Sequence, residues 1–252
     1  MKCACWIGCL VIASVCGAVE TTEKSSNVVP ATSLLQNLER APRYRPLEAN
    51  APKVRVDGRV RGVDDALLTL TVLAPEHCGL TTKEQPCLYW YQSKASKTRF
   101  ELTISERGSV NPLLEVGFNE TPADGIQRVC LEKYNIKLKM GVEYRWSVAM
   151  VLDPENRSKD VIASGMIRRV VPAETLKVRL AKAPAADHPY IYADEGIWYD
   201  SLESLSAMID DKPGDKKLHE ARAVYFMQVG LSDAARHEMT MAGKTVKATL
   251  GK

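Results

Sequence analysis

The chain has 252 residues, 45% of them apolar and 26% charged, with a formal net charge of +3. That length suits one large domain or two small ones, and the apolar content permits a buried core, which excludes a wholly disordered chain. The charge balance is even and no polybasic arm stands out, so nothing points to nucleic acid.

Residues 1–18 read as a secretory signal peptide. Lys2 is a minimal positive start, and Ala4 to Ala18 is apolar but too short to span a bilayer. Cys16-Gly17-Ala18 offers small residues to a signal peptidase, and Val19-Glu20-Thr21 is already polar. A lipoprotein signal acylated at Cys16 is the alternative: Ala13 fits the position three before it, but Val15 suits the preceding one poorly. The expected location is extracytoplasmic, periplasmic or secreted, with no transmembrane segment after cleavage.

Cys3, Cys5, Cys9 and Cys16 belong to the leader, which leaves Cys78, Cys87 and Cys130. In an oxidising compartment Cys78 and Cys87 are the expected disulfide, bracketing a short polar turn from Gly79 to Pro86. Cys130 is then expected to be a buried thiol on a strand.

Residues 19–62 lack sustained periodicity and carry Pro30, Pro42, Pro46 and Pro52. They are expected to form a flexible linker, with one short helix from Thr32 to Arg40 and a basic end at Lys53, Arg55, Arg59 and Arg61.

Strand patterning begins near Asp65. Leu68, Leu70 and Val72 alternate with Thr69 and Thr71; Leu88 and Trp90 alternate with Tyr89 and Tyr91. Phe100, Leu102 and Ile104 alternate with Arg99, Glu101 and Thr103. Weaker strands follow at Asn111 to Phe118 and Gly125 to Leu131. The strongest pattern is Val142 to Asp153, where Tyr144, Trp146, Val148 and Met150 share a face, followed by a polar turn and Asp160 to Arg169. About seven strands with turn signals every 8–15 residues predict an Ig-like antiparallel β-sandwich over residues 63–172. Residues 173–252 are read as a connector plus C-terminal helices. Glu174 to Leu180 is a short helix, a second begins near Ile197, Asp215 caps a third, and Leu231 to Met241 is the last. A helical hairpin of this kind cannot bury its own apolar face, so it is expected to pack on the sandwich or on a partner. The fold class is mainly β with α.

Several phrases stand in order: Gly79-Leu-Thr-Thr; Pro86-Cys-Leu-Tyr-Trp-Tyr; Gly141-x-x-Tyr144-x-Trp146; Asp153-Pro-x-x-Arg157-Ser158-x-Asp160; Gly165-x-Ile167-x-Arg169; and Tyr192-Ala-x-x-Gly196-Ile-Trp-Tyr-Asp200. Together they resemble the bacterial family catalogued as domain of unknown function 928, over roughly Val63 to Leu231. The resemblance implies an extracytoplasmic protein and brings no activity. Cys78 and Cys87 depart from the family pattern, and a paired gain would fit a disulfide.

Two clusters carry candidate chemistry. Asp153, Glu155 and Asp160 in the turn could gather oxygens around calcium, but the glycine and terminal glutamate of an EF-hand are missing, so Arg157 salt-bridged to Asp153 or Asp160 is the expected arrangement. Tyr190, Tyr192, Trp198, Tyr199 and Asp200 could bind a sugar ring or a cationic group, and Glu195 with Asp200 could be drawn as a glycosidase acid pair. The competing expectation is that Trp198 and Tyr199 staple a helix to the sandwich while Asp194 or Asp200 caps it. His77, His188, His219 and His237 match no zinc signature. No acid, base and nucleophile assemble, so the expected role is a non-catalytic interaction or binding module with no cofactor. Its expected partner is an envelope or periplasmic protein; a carbohydrate-binding module or weak glycan hydrolase is the alternative.

Overall fold

The computed structural model describes residues 41–47, 52–61, 67–96, 98–118 and 123–243. The signal peptide, Cys16 and the Thr32 to Arg40 helix of the sequence reading lie outside them. Among the described residues nine strands come first: β1 (Gly58–Arg61), β2 (Leu67–Val72), β3 (Gly79–Thr81), β4 (Cys87–Gln92), β5 (Arg99–Glu106), β6 (Leu114–Phe118), β7 (Gly125–Cys130), β8 (Glu143–Val151) and β9 (Val161–Arg169). Five α-helices follow: α1 (Glu174–Lys182), α2 (His188–Asp194), α3 (Trp198–Asp211), α4 (Lys216–Met227) and α5 (Ser232–Met241).

The strands form two sheets, ordered β1-β2-β4-β7 and β3-β9-β8-β5-β6. Alternation places them. Phe100, Leu102 and Ile104 of β5 and Tyr144, Trp146, Val148 and Met150 of β8 are buried, and they share one core with Leu70, Val72, Leu88 and Trp90 of the other sheet. A one-residue slip would turn those side chains outward, so burial sets the register. It runs from Arg99 opposite Val151 to Glu106 opposite Tyr144. Strand β4 departs from simple alternation, since all six of its residues are buried. One face meets the sheet core and the other is covered by α3, so neither face needs to be polar.

Two strands escaped the sequence reading. β3 is three residues long and pairs in parallel with β9, Gly79 opposite Ile167, so the sheets are not wholly antiparallel. β1 lies within the basic run assigned to the linker and pairs with β2. That assignment needs correcting beyond β1. Val56 bridges Ser164 of β9, with an N–H to oxygen hydrogen bond of 2.8 Å in each direction. The chain therefore pairs first with the five-stranded sheet and then, two residues later, with the four-stranded one. Arg55 locks the crossing: its side chain is 6% exposed and donates to the carbonyls of Ala74 and Val229, each at 2.9 Å. Val229 lies just past α4, where helix carbonyls lack internal partners and attract a cation.

The disulfide also differs from expectation. Cys87 is bonded to Cys130, not to Cys78. The two are directly opposite in the β4–β7 ladder, with Cα atoms 3.8 Å apart. Cys78 precedes β3, which belongs to the other sheet. Closeness along the chain was therefore a poor guide, because strand register sets which sulfurs meet.

The helical segment has its own determinants. Asp215 caps α4, accepting from the Lys217 N–H at 3.0 Å. Gly230, at φ +74°, turns the chain into α5, a left-handed conformation that suits glycine. No helix among the described residues is long and apolar enough to cross a membrane.

Candidate functional site: a buried joint and an open groove

The aromatic and acidic run from Tyr190 to Asp200 divides into two unlike parts. Gly196, at φ +72°, sits so close to Arg45 that an added Cβ would lie 2.7 Å from the Arg45 carbonyl oxygen. The chain then enters α3, whose first three residues, Trp198, Tyr199 and Asp200, are fully buried. The Trp198 indole N–H donates to the Leu73 carbonyl at 2.9 Å, and its ring stacks on Tyr225 of α4 with centroids 4.3 Å apart. The Tyr199 hydroxyl donates to the Met166 carbonyl at 3.0 Å and accepts from the Trp146 indole N–H at 2.8 Å. Burial pushes this phenol well above the usual tyrosine range.

Asp200 does not cap α3, whose N-cap is Ile197. Its carboxylate reaches across to the end of β3, accepting from the Thr81 hydroxyl, the Thr82 hydroxyl and the Thr82 N–H, the last at 3.0 Å. Burial raises its pKa above the ordinary carboxylate value, against those hydrogen bonds, which favour the ionised form. Asp194 does not cap α3 either; it pairs with Arg45 and Arg179, both at 3.0 Å. Glu195 pairs with Arg179 and is separate from the buried Asp200.

Tyr190 and Tyr192 remain half-buried on α2. Tyr192 packs beside a small second core of Leu80, Leu176, Ile191 and Ile197, edge-on to His188. Tyr190 lines an open groove of about 680 Å³. Ile191, Ala183, Pro184 and Ala41 give the groove apolar surface, and Arg43, Arg179, Lys182, Asp187 and Asp194 supply charge. Arg43 and Lys182 are exposed and form no ion pair among the described residues. Sequence reasoning found Tyr190 but missed Arg43, Arg179 and Lys182. No local signal marks them, because the groove is made by residues far apart in the chain.

The turn between β8 and β9 is tied by its own side chains. Arg157 bonds Asp160 at 2.7 Å and Glu101 of β5 at 2.5 Å, Lys159 bonds Asp153 at 2.9 Å, and Glu155 is exposed. Among the described residues no group of three or more His, Cys, Asp or Glu is placed to hold a metal ion.

A family model described as Domain of Unknown Function (DUF928) matches residues 56–239. The chain belongs to that family. Part of the DUF928 phrases meets at the joint: Trp146 donates to Tyr199, and Gly79 lies against the Tyr199 ring. An added Cβ on Gly79 would lie 2.6 Å from the Tyr199 ring, and one on Gly165 would lie 2.9 Å from the Ala74 Cβ. Gly79 therefore admits Tyr199, and Gly165 lets the two sheets approach. Arg169 donates to the Leu138 carbonyl at 3.1 Å and pairs with Glu84. In this DUF928 chain, Gly79 and the Trp198–Asp200 phrase join α3 to the sheets, Gly165 brings the sheets together, and the Asp153–Asp160 phrase ties the β8–β9 turn. No curated protein matches the chain. Among solved structures, a multi-domain immunophilin from Arabidopsis thaliana is 10% identical, over 79% of this chain and 99% of that one, with a TM-score of 0.17. A score that low carries no argument.

Proposed function

We propose that this protein is an extracytoplasmic, non-catalytic binding module that docks a segment of a partner protein in the Tyr190 groove. The observation that carries the reading is the division of the 190–200 run. Trp198, Tyr199 and Asp200, the centre of any catalytic or sugar-binding cluster, are sealed inside against partners on strands or the loops beside them, whereas Tyr190 borders open surface. A groove that combines apolar surface with charged side chains, tyrosine and arginine among them, has the composition of a protein–protein contact. The Cys87–Cys130 disulfide is compatible with an oxidising compartment and supports export.

The scaffold reading goes with this. We infer an Ig-like sandwich in which β2-β4-β7 faces β9-β8-β5-β6. Tyr144, near the start of β8, supports it: its hydroxyl accepts from the Lys139 N–H at 3.1 Å, the arrangement of a tyrosine corner. Such scaffolds present ligands on loops and added elements rather than in the core. Here the added elements are α1 and α2.

The test immobilises the mature protein and captures partners from the envelope and secreted fractions of its source, comparing wild type with Tyr190→Ala and Arg43→Glu. The expected result is one protein retained by wild type and lost from both variants, whose folds are intact by circular dichroism. Retention of a polysaccharide through the groove would favour a carbohydrate-binding module instead. Turnover of any glycan by the pure protein would overturn the non-catalytic reading.

A further inference from the structure

Helices α4 and α5 carry two histidines in opposite electrostatic settings. His219 on α4 has a side chain only 5% exposed. Its Nδ1 lies 2.8 Å from Glu238 Oε2 on α5, and its Nε2 lies 3.0 Å from the Pro213 carbonyl oxygen. Both neighbours can only accept, so both ring nitrogens must donate, and the ring that fits this geometry is the doubly protonated cation. Glu238, with 1% of its side chain exposed, also receives Arg222 at Nε and Nη2, at 3.0 and 2.9 Å. Arg222 in turn donates to Ser206 of α3 at 3.0 Å. Two cations thus grip one buried carboxylate and tie α5 to α4 and α3.

His237, one residue before Glu238, turns the other way. Its Nε2 lies only 2.9 Å from where a Cβ on Gly125 would sit, and its ring packs on Tyr91 of β4 with centroids 5.5 Å apart. Among the described residues no carboxylate accepts a hydrogen bond from it. The charged groups whose fields reach it are Glu238 and Asp124, which favour protonation, and Arg222 and His219, which oppose it. Its neutral ring is what wedges α5 against β4 and β7.

We propose that these two histidines form a proton-set clasp for the C-terminal helix, in which a charged His219 and a neutral His237 together hold α5 down. Docking is then firmest at intermediate pH and loosens on both sides.

The electrostatics agree with the geometry. The hydrogen bond to Glu238 raises the His219 pKa above the ordinary 6.5, so its contribution is complete below 6.5 and is lost as pH rises through the folded-state value. Burial lowers the His237 pKa below 6.5, so its contribution is complete above 6.5 and is lost as pH falls through its folded-state value. Burial alone would raise the Glu238 pKa, but the hydrogen bond from His219 and the charge of Arg222 hold it below 4.5. The carboxylate therefore stays ionised across the His219 titration.

The experiment is amide hydrogen exchange of α5 in the full-length protein from pH 5 to 9, corrected for intrinsic exchange, with histidine ring resonances titrated by NMR in the same samples. The clasp predicts His219 titrating above 6.5 and His237 below it. It also predicts an opening constant for α5 that is lowest between the two and rises by up to about tenfold per pH unit on either limb. His219→Gln should flatten the alkaline limb alone and His237→Phe the acidic limb alone. Should either variant fail to fold, the wild-type titrations still decide: both rings titrating near 6.5, or α5 protection independent of pH, would overturn the proposal.

Discussion

Residues Tyr190 and Tyr192 and residues Trp198 to Asp200 are of the same chemical kind and lie within one short stretch, yet they end in opposite environments. Trp198, Tyr199 and Asp200 have no exposure, and the indole N–H, the phenol and the carboxylate each have a named partner on a strand or the loop beside one. Tyr190 keeps part of its ring at an open groove whose nearby cations Arg43 and Lys182 have no ion-pair partner among the described residues. The comparison teaches that aromatic and acidic side chains together do not mark a binding site. Access to solvent separates a joint from a face.

Substitutions in the two parts should therefore differ in what they damage. The largest effect is expected from Trp198→Ala, which empties a fully buried site and abandons the Leu73 hydrogen bond; it should lower unfolding free energy by about 3–5 kcal/mol. Asp200→Ala comes next. It strands donors from Thr81 and Thr82, at about 2–3 kcal/mol, whereas Asp200→Asn keeps an acceptor and should cost less. If the two substitutions cost the same, the carboxylate does not hold β3 in the way described. Reduction of Cys87–Cys130 should cost about 2–4 kcal/mol by releasing the denatured chain. Alkylation of the native protein followed by peptide mass mapping should label Cys78 and leave those two untouched.

The smallest effect on stability belongs to the groove. Tyr190→Ala should change unfolding free energy by less than about 1 kcal/mol while abolishing partner capture. Calcium followed by chelator should leave the melting temperature unchanged, because Lys159 and Arg157 already engage Asp153 and Asp160. A clear rise with calcium would mean that the turn rearranges around the ion.

Much of the frame was legible because one face of a strand had to be apolar. Phe100, Leu102 and Ile104, and Tyr144 through Met150, announce β5 and β8 by period alone. Asp215 and Gly230 marked the ends of α4 by capping chemistry. β3 was not legible, since three residues carry no period and its pairing with β9 is made far along the chain. β1 was hidden by its arginines, which an edge strand can tolerate. The disulfide depended on the register of β4 with β7, which no spacing rule contains. The groove was the least legible part, because Arg43 reaches Tyr190 only after the sheets and helices have assembled.

The account rests on Trp198 being a structural joint rather than a ligand contact. Equilibrium urea unfolding of Trp198→Ala against wild type tests this most directly. A loss of about 3–5 kcal/mol is predicted. A loss under about 1 kcal/mol, with the fold intact, would contradict it.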